Sequence, residues 1–198
     1  MKKASVFFGQ ALLILVCAAA VLAQQQADTK KNLFQEYMER FGPPGPEHKL
    51  LEPLLGTWHA KVSCWMDPGQ PPQVSDGTLV RKAIMGGRFI QEDFDGTMMG
   101  KPFQGRGTIG FDRAKKKYVT TWLDSVSTAI NMSYGTYNDS LQTWTFTHED
   151  DCPITGKHIK MRDTLRIVNA NEERMEMFRQ MGNEKEVKVM EIILTRNK

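Results

Sequence analysis

The chain is short of the residues that most often announce a chemistry. It has only three cysteines and four histidines in 198 residues. His48, His59, His148 and His158 show no metal-ligand spacing. No G-x-S-x-G, H-E-x-x-H or phosphate-binding loop is present, so the familiar hydrolase, zincin and nucleotide-binding patterns are excluded. There is no basic patch of the kind that neutralises phosphates, which argues against nucleic acid as a partner. The one basic run, Lys115-Lys116-Lys117, follows Asp112 and reads as a solvated hairpin tip. There is no long apolar run either. The longest such segment, Ala11 to Leu22, is shorter than the roughly 20 residues a membrane helix needs.

What that segment does resemble is an export signal. Lys2 and Lys3 precede it, and Val21-Leu22-Ala23 offers a cleavage site before Gln24. Residues 1–23 are therefore read as a signal peptide and the protein as periplasmic or secreted. Their removal takes away two lysines and no acid, which lowers the formal charge from +3 to +1. No membrane span then remains. Cys64 and Cys152 stay in the mature chain, and whether they form a disulfide is open.

Residues 24–46 hold a polar stretch, a short amphipathic helix and a Pro/Gly linker. Leu33, Phe34, Tyr37, Met38 and Phe41 recur at helical spacing, and Gly42-Pro43-Pro44-Gly45-Pro46 ends the pattern. Leu50, Leu51, Leu54 and Leu55 suggest another turn or two of helix leading into the next domain.

From Gly56 the period changes from helical to two. Ten β-like segments follow, each closed by a turn signal, at about 57–65, 74–84, 88–94, 103–111, 117–125, 129–137, 141–149, 158–168, 174–181 and 186–195. Proline is confined to their edges, as strand interiors require. Connections this short allow only neighbour-to-neighbour antiparallel pairing. The expectation is all-β: an up-and-down antiparallel barrel of 8–10 strands over 47–198, lipocalin-like, with a short N-terminal helix capping one end. Such a barrel leaves room for side chains and one small ligand.

The alternation also assigns faces. Trp144, Phe146 and His148 share the apolar face of the seventh strand, with three threonines opposite. Asp163 falls on the apolar face of the eighth, and Arg179 on that of the ninth with Met175, Met177 and Met181. The side of Glu191 is ambiguous. Trp122 and Asp124, with Tyr118, face the same cavity. The candidate ligand-binding set is thus Trp122, Asp124, Trp144, His148, Asp163 and Arg179. Three readings of its charges stand: an Asp163–Arg179 ion pair fixing register, a polar anchor for an apolar ligand, or acid–base chemistry by His148 with Asp163. Asp163→Ala would cost about 3–5 kcal/mol under the first.

Gly105-Arg106-Gly107-Thr108-Ile109-Gly110 matches G-x-G-x-x-G but leads into a turn and another strand, not a helix. Its glycines are read as relief of crowding on a curved strand. The methionines suit gap-filling in a core better than copper binding. A haem reading would need an axial ligand, for which His148 is the one histidine on offer. No metal and no cofactor is called.

Leu54-Leu55-Gly56-Thr57-Trp58 opens the barrel. In lipocalin-like barrels a tryptophan at this place closes one end and often stacks under a late arginine, for which Arg196 is the match and Arg88 the runner-up. Glu47-His48, Pro68 to Pro72, Gly86-Gly87-Arg88-Phe89, Gly110-Phe111-Asp112, Thr121 to Ser125 and Arg162-Asp163 follow in order. Read together, the chain resembles the bacterial domain-of-unknown-function family fifteen-seventy-nine over about 47–196. The resemblance implies a lipocalin-like barrel, with Gly56, Trp58 and Arg196 as structural residues, and brings no activity or ligand with it. Two functions remain: a binder of a small apolar or amphipathic ligand, or an interaction module with a filled barrel. An enzyme is a distant third.

Cleavage after Ala23 is the first testable outcome. The intact mass of the exported protein should lack residues 1–23. A mass that retains them, or diacylglycerol on Cys17, would contradict the reading.

Overall fold

The computed structural model describes residues 21–22, 32–67 and 69–197. Residues 1–20 and 23–31, which hold most of the segment read as a signal peptide and the polar stretch after it, lie outside the described residues. The chain divides between Pro43 and Pro44 into two units. The first contains α1, residues 32–41, on which the Tyr37 and Phe41 rings stand 5.3 Å apart. Among the described residues no helix is long and apolar enough to cross a membrane.

The second unit opens with α2 (Pro46–Lys49) and a 3-10 turn, η1 (Glu52–Leu54). Ten strands follow: β1 (Gly56–Cys64), β2 (Gln73–Ile84), β3 (Phe89–Met98), β4 (Lys101–Asp112), β5 (Lys117–Asp124), β6 (Asn131–Asn138), β7 (Thr143–Asp151), β8 (His158–Asn169), β9 (Glu172–Met181) and β10 (Val187–Arg196). Every strand pairs antiparallel with its sequence neighbours, and β1 pairs with β10 to close the barrel. Closure leaves no edge strand to template aggregation.

The period-two pattern translates directly into an inside and an outside. Trp58, Ala60 and Val62 are buried on β1, and Ile90, Glu92 and Phe94 on β3, with exposed or half-buried residues between them. Three local departures from simple alternation have identifiable causes. A bulge between Lys188 and Met190 shifts the phase of β10, so Met190, Ile192 and Leu194 pack inward. Glu191 instead bonds Lys188 on the outer face at 2.8 Å. Phe178 lies on the polar side of β9 because Arg162 covers its ring at 4.0 Å. The turn after β6 spans residues 139–142, so Leu141 lies in the turn and not in the seventh strand, since Asn138 Oδ1 accepts the Leu141 N–H (3.1 Å) and Gln142 adopts a left-handed φ of 50°.

One end of the barrel is shut by α2 and η1. Leu51 and Leu54 enter a core with Ile90, Ile109, Tyr118, Trp144 and Leu165. Tyr118 donates its hydroxyl to Glu47 O at 3.1 Å, tying α2 to β5. Trp58 donates Nε1–H to Leu54 O at 3.0 Å, and the Arg196 guanidinium lies 4.1 Å over its ring. Arg196 also donates to Leu55 O and Pro53 O, both at 2.7 Å. The last strand therefore clamps the segment that enters the first. Arg88, by contrast, donates to Met85 O at 3.0 Å in the β2–β3 turn.

Gly56 makes the clamp possible. Its φ is +126°, and a Cβ there would meet Arg196 Nη1 at 2.7 Å. Gly56→Ala is expected to destabilise the barrel by about 1–3 kcal/mol, combining backbone strain with loss of the guanidinium's place. Urea unfolding measures it, and a change within about 0.5 kcal/mol, as for an ordinary surface site, would refute the clamp.

Candidate functional site: the hollow half of the barrel

A charged strut divides the interior. Arg81 on β2 is fully buried and donates Nε–H to Glu92 Oε1 on β3 at 2.6 Å and Nη1–H to Glu173 Oε2 on β9. Nη2 approaches Met175 Sδ at 3.9 Å. Burial opposes the Arg81 charge, but the two carboxylates outweigh it and hold the guanidinium protonated. Burial also raises the Glu173 carboxyl, against the pull of Arg81. None of these three residues was among the sequence candidates. The signal was nonetheless there: Arg81, Glu92 and Glu173 each sit in phase with the apolar face of their strand.

On one side of the strut lies the packed core under α2 and η1. On the other is a cavity of about 710 Å³ that reaches the opposite end of the barrel. Its wall is mainly apolar, with methionine prominent: Met98, Met161, Met175, Met177 and Met190 all line it. Glycine makes much of the room. A Cβ on Gly105 would lie 2.1 Å from Trp122 Cζ2, and one on Gly107 would lie 3.1 Å from Trp122 Cε3. The indole therefore lies flat against the bare β4 backbone instead of projecting across the lumen. A second concavity, about 480 Å³, runs over the outer face of β2–β5 between side chains such as Asp93 and Arg106 and is a surface groove.

Of the sequence candidates, Trp122, Asp124, His148, Asp163 and Arg179 line the cavity. Trp144 does not. It is fully buried in the packed core, with the Tyr137 ring 4.5 Å away. Its inward face was read correctly, but alternation carries no information about depth along the barrel axis. Tyr118 lies in the same core. Nor do Asp163 and Arg179 pair among the described residues. Asp163 is opposite Phe146 and Met177, while Arg179 is opposite Met161, one inward position nearer the mouth. Cys64 and Cys152 are both free thiols.

The polar groups of the cavity differ in kind. Asp124 Oδ1 accepts the N–H groups of Val126 and Ser127, both at 3.0 Å, so it caps the end of β5. His148 Nδ1 and Ser133 Oγ are 2.8 Å apart, and burial lowers the His148 pKa against the opposing pull of Asp150, which favours the neutral ring. Asp163 Oδ1 is buried and has no hydrogen-bond partner among the described residues. Burial, only partly offset by Arg162, raises the Asp163 pKa to about 6. No group of three or more His, Cys, Asp or Glu that could hold a metal occurs among the described residues.

A family model described as Protein of unknown function (DUF1579) matches residues 43–196. The chain belongs to that family. No curated protein matches the sequence. Among solved structures, this DUF1579 barrel is similar to the crystal structure of Rv2717c from M. tuberculosis. The TM-score is 0.59 at 17% identity, over 79% of this chain and 100% of that one, which shows a shared fold. A de novo designed fluorescence-activating β-barrel also matches, at a TM-score of 0.40 and 14% identity over 72% of this chain and 93% of that one.

The Asp163 carboxyl makes the stability of the DUF1579 barrel pH-dependent in a defined direction. The unfolded chain loses this proton near pH 3.8, whereas the folded barrel keeps it to about pH 6. The stability it supports is complete below the lower value and is lost as pH rises through the higher one. At about 1.4 kcal/mol for each pH unit, the loss is about 2–3 kcal/mol. Asp163→Asn should therefore match the wild type near pH 4 and exceed its stability by about 2–3 kcal/mol at pH 8. This replaces the large loss expected for Asp163→Ala from a buried ion pair. Equal wild-type and Asn stability at pH 8, by chemical denaturation, would refute it.

Proposed function

We propose that the barrel binds a small apolar or amphipathic molecule in its hollow half, and that the protein does so after export. The observation that carries this reading is the cavity. At about 710 Å³ it falls within the roughly 300–1,000 Å³ range of small-molecule sites. A close-packed interior would instead suit the interaction module. In this chain the interior under α2 and η1 is packed, while the cavity opens beside a second apolar cluster around Trp58, Leu79 and Phe94.

The composition of the wall supports the same reading. Unbranched methionine side chains adapt to the outline of an apolar guest. Phe94, Phe103, Trp122 and Phe146 add flat surface to the wall. The few polar groups set orientation. Export is supported by the Lys–apolar–small order of residues 1–23.

Uptake of a neutral apolar dye such as Nile red tests the reading. The wild type should take it up saturably, with one site per chain. Met177→Trp places a bulky side chain in the lumen and should weaken uptake by more than about tenfold, or about 1.4 kcal/mol. The unfolding midpoint should change little by comparison. Absence of saturable uptake, or uptake indifferent to Met177→Trp, would favour the interaction module.

A further inference from the structure

The depth and surroundings of Asp163 specify the kind of polar end a guest must have. Along the inner face of β8 the order from mouth to core is Ile159, Met161, Asp163, Leu165. Leu165 lines the cavity where it meets the packed core, so Asp163 stands deep in the hollow half, one inward position above that floor. Its cross-strand neighbours, Phe146 and Met177, offer no hydrogen-bond donor from their side chains. The nearest charge in sequence, Arg162, is turned outward, where it bonds Glu186 through Nε at 2.9 Å and covers Phe178. The buried Oδ1 therefore has an acceptor's needs that the described residues leave unmet. An unpaired buried acceptor is a costly feature in a barrel selected only for packing.

The charges along the wall decide the sign of the complementary group. Among the described residues that line the cavity, Asp124, Asp150, Asp151 and Asp163 stand against the single cation Arg179, with Asp151 at the exposed rim 3.2 Å from His158 Nδ1. Glu92 also lines it but is already bonded to Arg81. The excess of carboxylates favours a cationic group, and low-dielectric walls strengthen that preference for whatever enters.

We propose that the cavity takes an apolar amine, whose protonated nitrogen donates to Asp163 deep in the lumen while its hydrocarbon body lies along the methionine-lined wall toward the mouth. This rests on the reading of the barrel as a binder. It ranks guests that share one body: an ammonium supplies both a donor and the complementary charge, a hydroxyl supplies the donor alone, and a carboxylate supplies neither. The rival arrangement is a carboxylate held by Arg179 nearer the mouth.

Calorimetric titration of the purified protein with decylamine, decanol and decanoate, each below its micelle concentration at pH 7.5 and low salt, separates these. Decylamine should bind more tightly than decanoate by at least about tenfold, with decanol between them, as a charge-assisted hydrogen bond implies. Asp163→Asn should weaken decylamine by about tenfold and leave decanol within about twofold. Arg179→Met should leave decylamine at least as tight. Decanoate binding as well as decylamine, or an amine preference that survives Asp163→Asn, would overturn the proposal while leaving the barrel a binder. Failure of all three to bind would remove the binder reading and this inference with it. The wild-type ranking stands as a test whether or not either variant folds.

Discussion

The interior of this barrel is organised by one buried guanidinium. Arg81 and Glu173 are 92 positions apart in sequence, on strands separated around the barrel by β1 and β10. Their bond therefore crosses the lumen instead of running along the wall. Glu92 completes the set from β3. A closed sheet of ten strands is too wide for side chains to fill unaided. The strut bridges the span at one level, with hydrocarbon packed on one side and a cavity on the other. Taking such charges out of water is costly, and removing one member alone would leave the others uncompensated, typically at about 3–5 kcal/mol. The arrangement favours a defined cross-section as much as raw stability.

The hollow half shows the opposite balance. Gly105 and Gly107 let Trp122 lie against the wall, and flexible methionines line it where bulkier, stiffer residues could have filled the space. Asp163 is held there at a cost that grows as pH rises through about 6. Each feature trades packing for an accessible, chemically marked volume, as expected where a site and a fold compete for the same residues. The clamp of Arg196 on Trp58, Leu55 and Pro53 lies at the other end, where it stabilises closure without constraining the mouth.

Much of this was legible in the residues. Strand number, order and pairing follow from a period of two punctuated by turns, because short connections leave only neighbour pairing. The inward faces of β1, β7 and β8 were equally plain. Two kinds of information were not. A bulge changes phase without a sequence marker, which is why Val189 and Glu191 on β10 looked as eligible for the lumen as Met190 and Ile192. Depth and partnership are set by register between strands, so Trp144 entered the candidate ligand set although it lies in the core, and an Asp163–Arg179 pair stood as one of three readings although Asp163 faces Met177. The strut was visible as charges set in apolar stripes, Arg81 after Leu79 and Glu92 between Ile90 and Phe94. Its significance depended on strands that meet only when the barrel closes.

The central claim is that one half of the barrel is built to hold a guest. Native mass spectrometry of the protein purified without detergent from its own host tests it most directly. The account predicts a single non-covalent organic adduct per chain, lost when Met177→Trp fills the lumen. A spectrum of the bare chain alone, or an adduct that Met177→Trp retains, would contradict it.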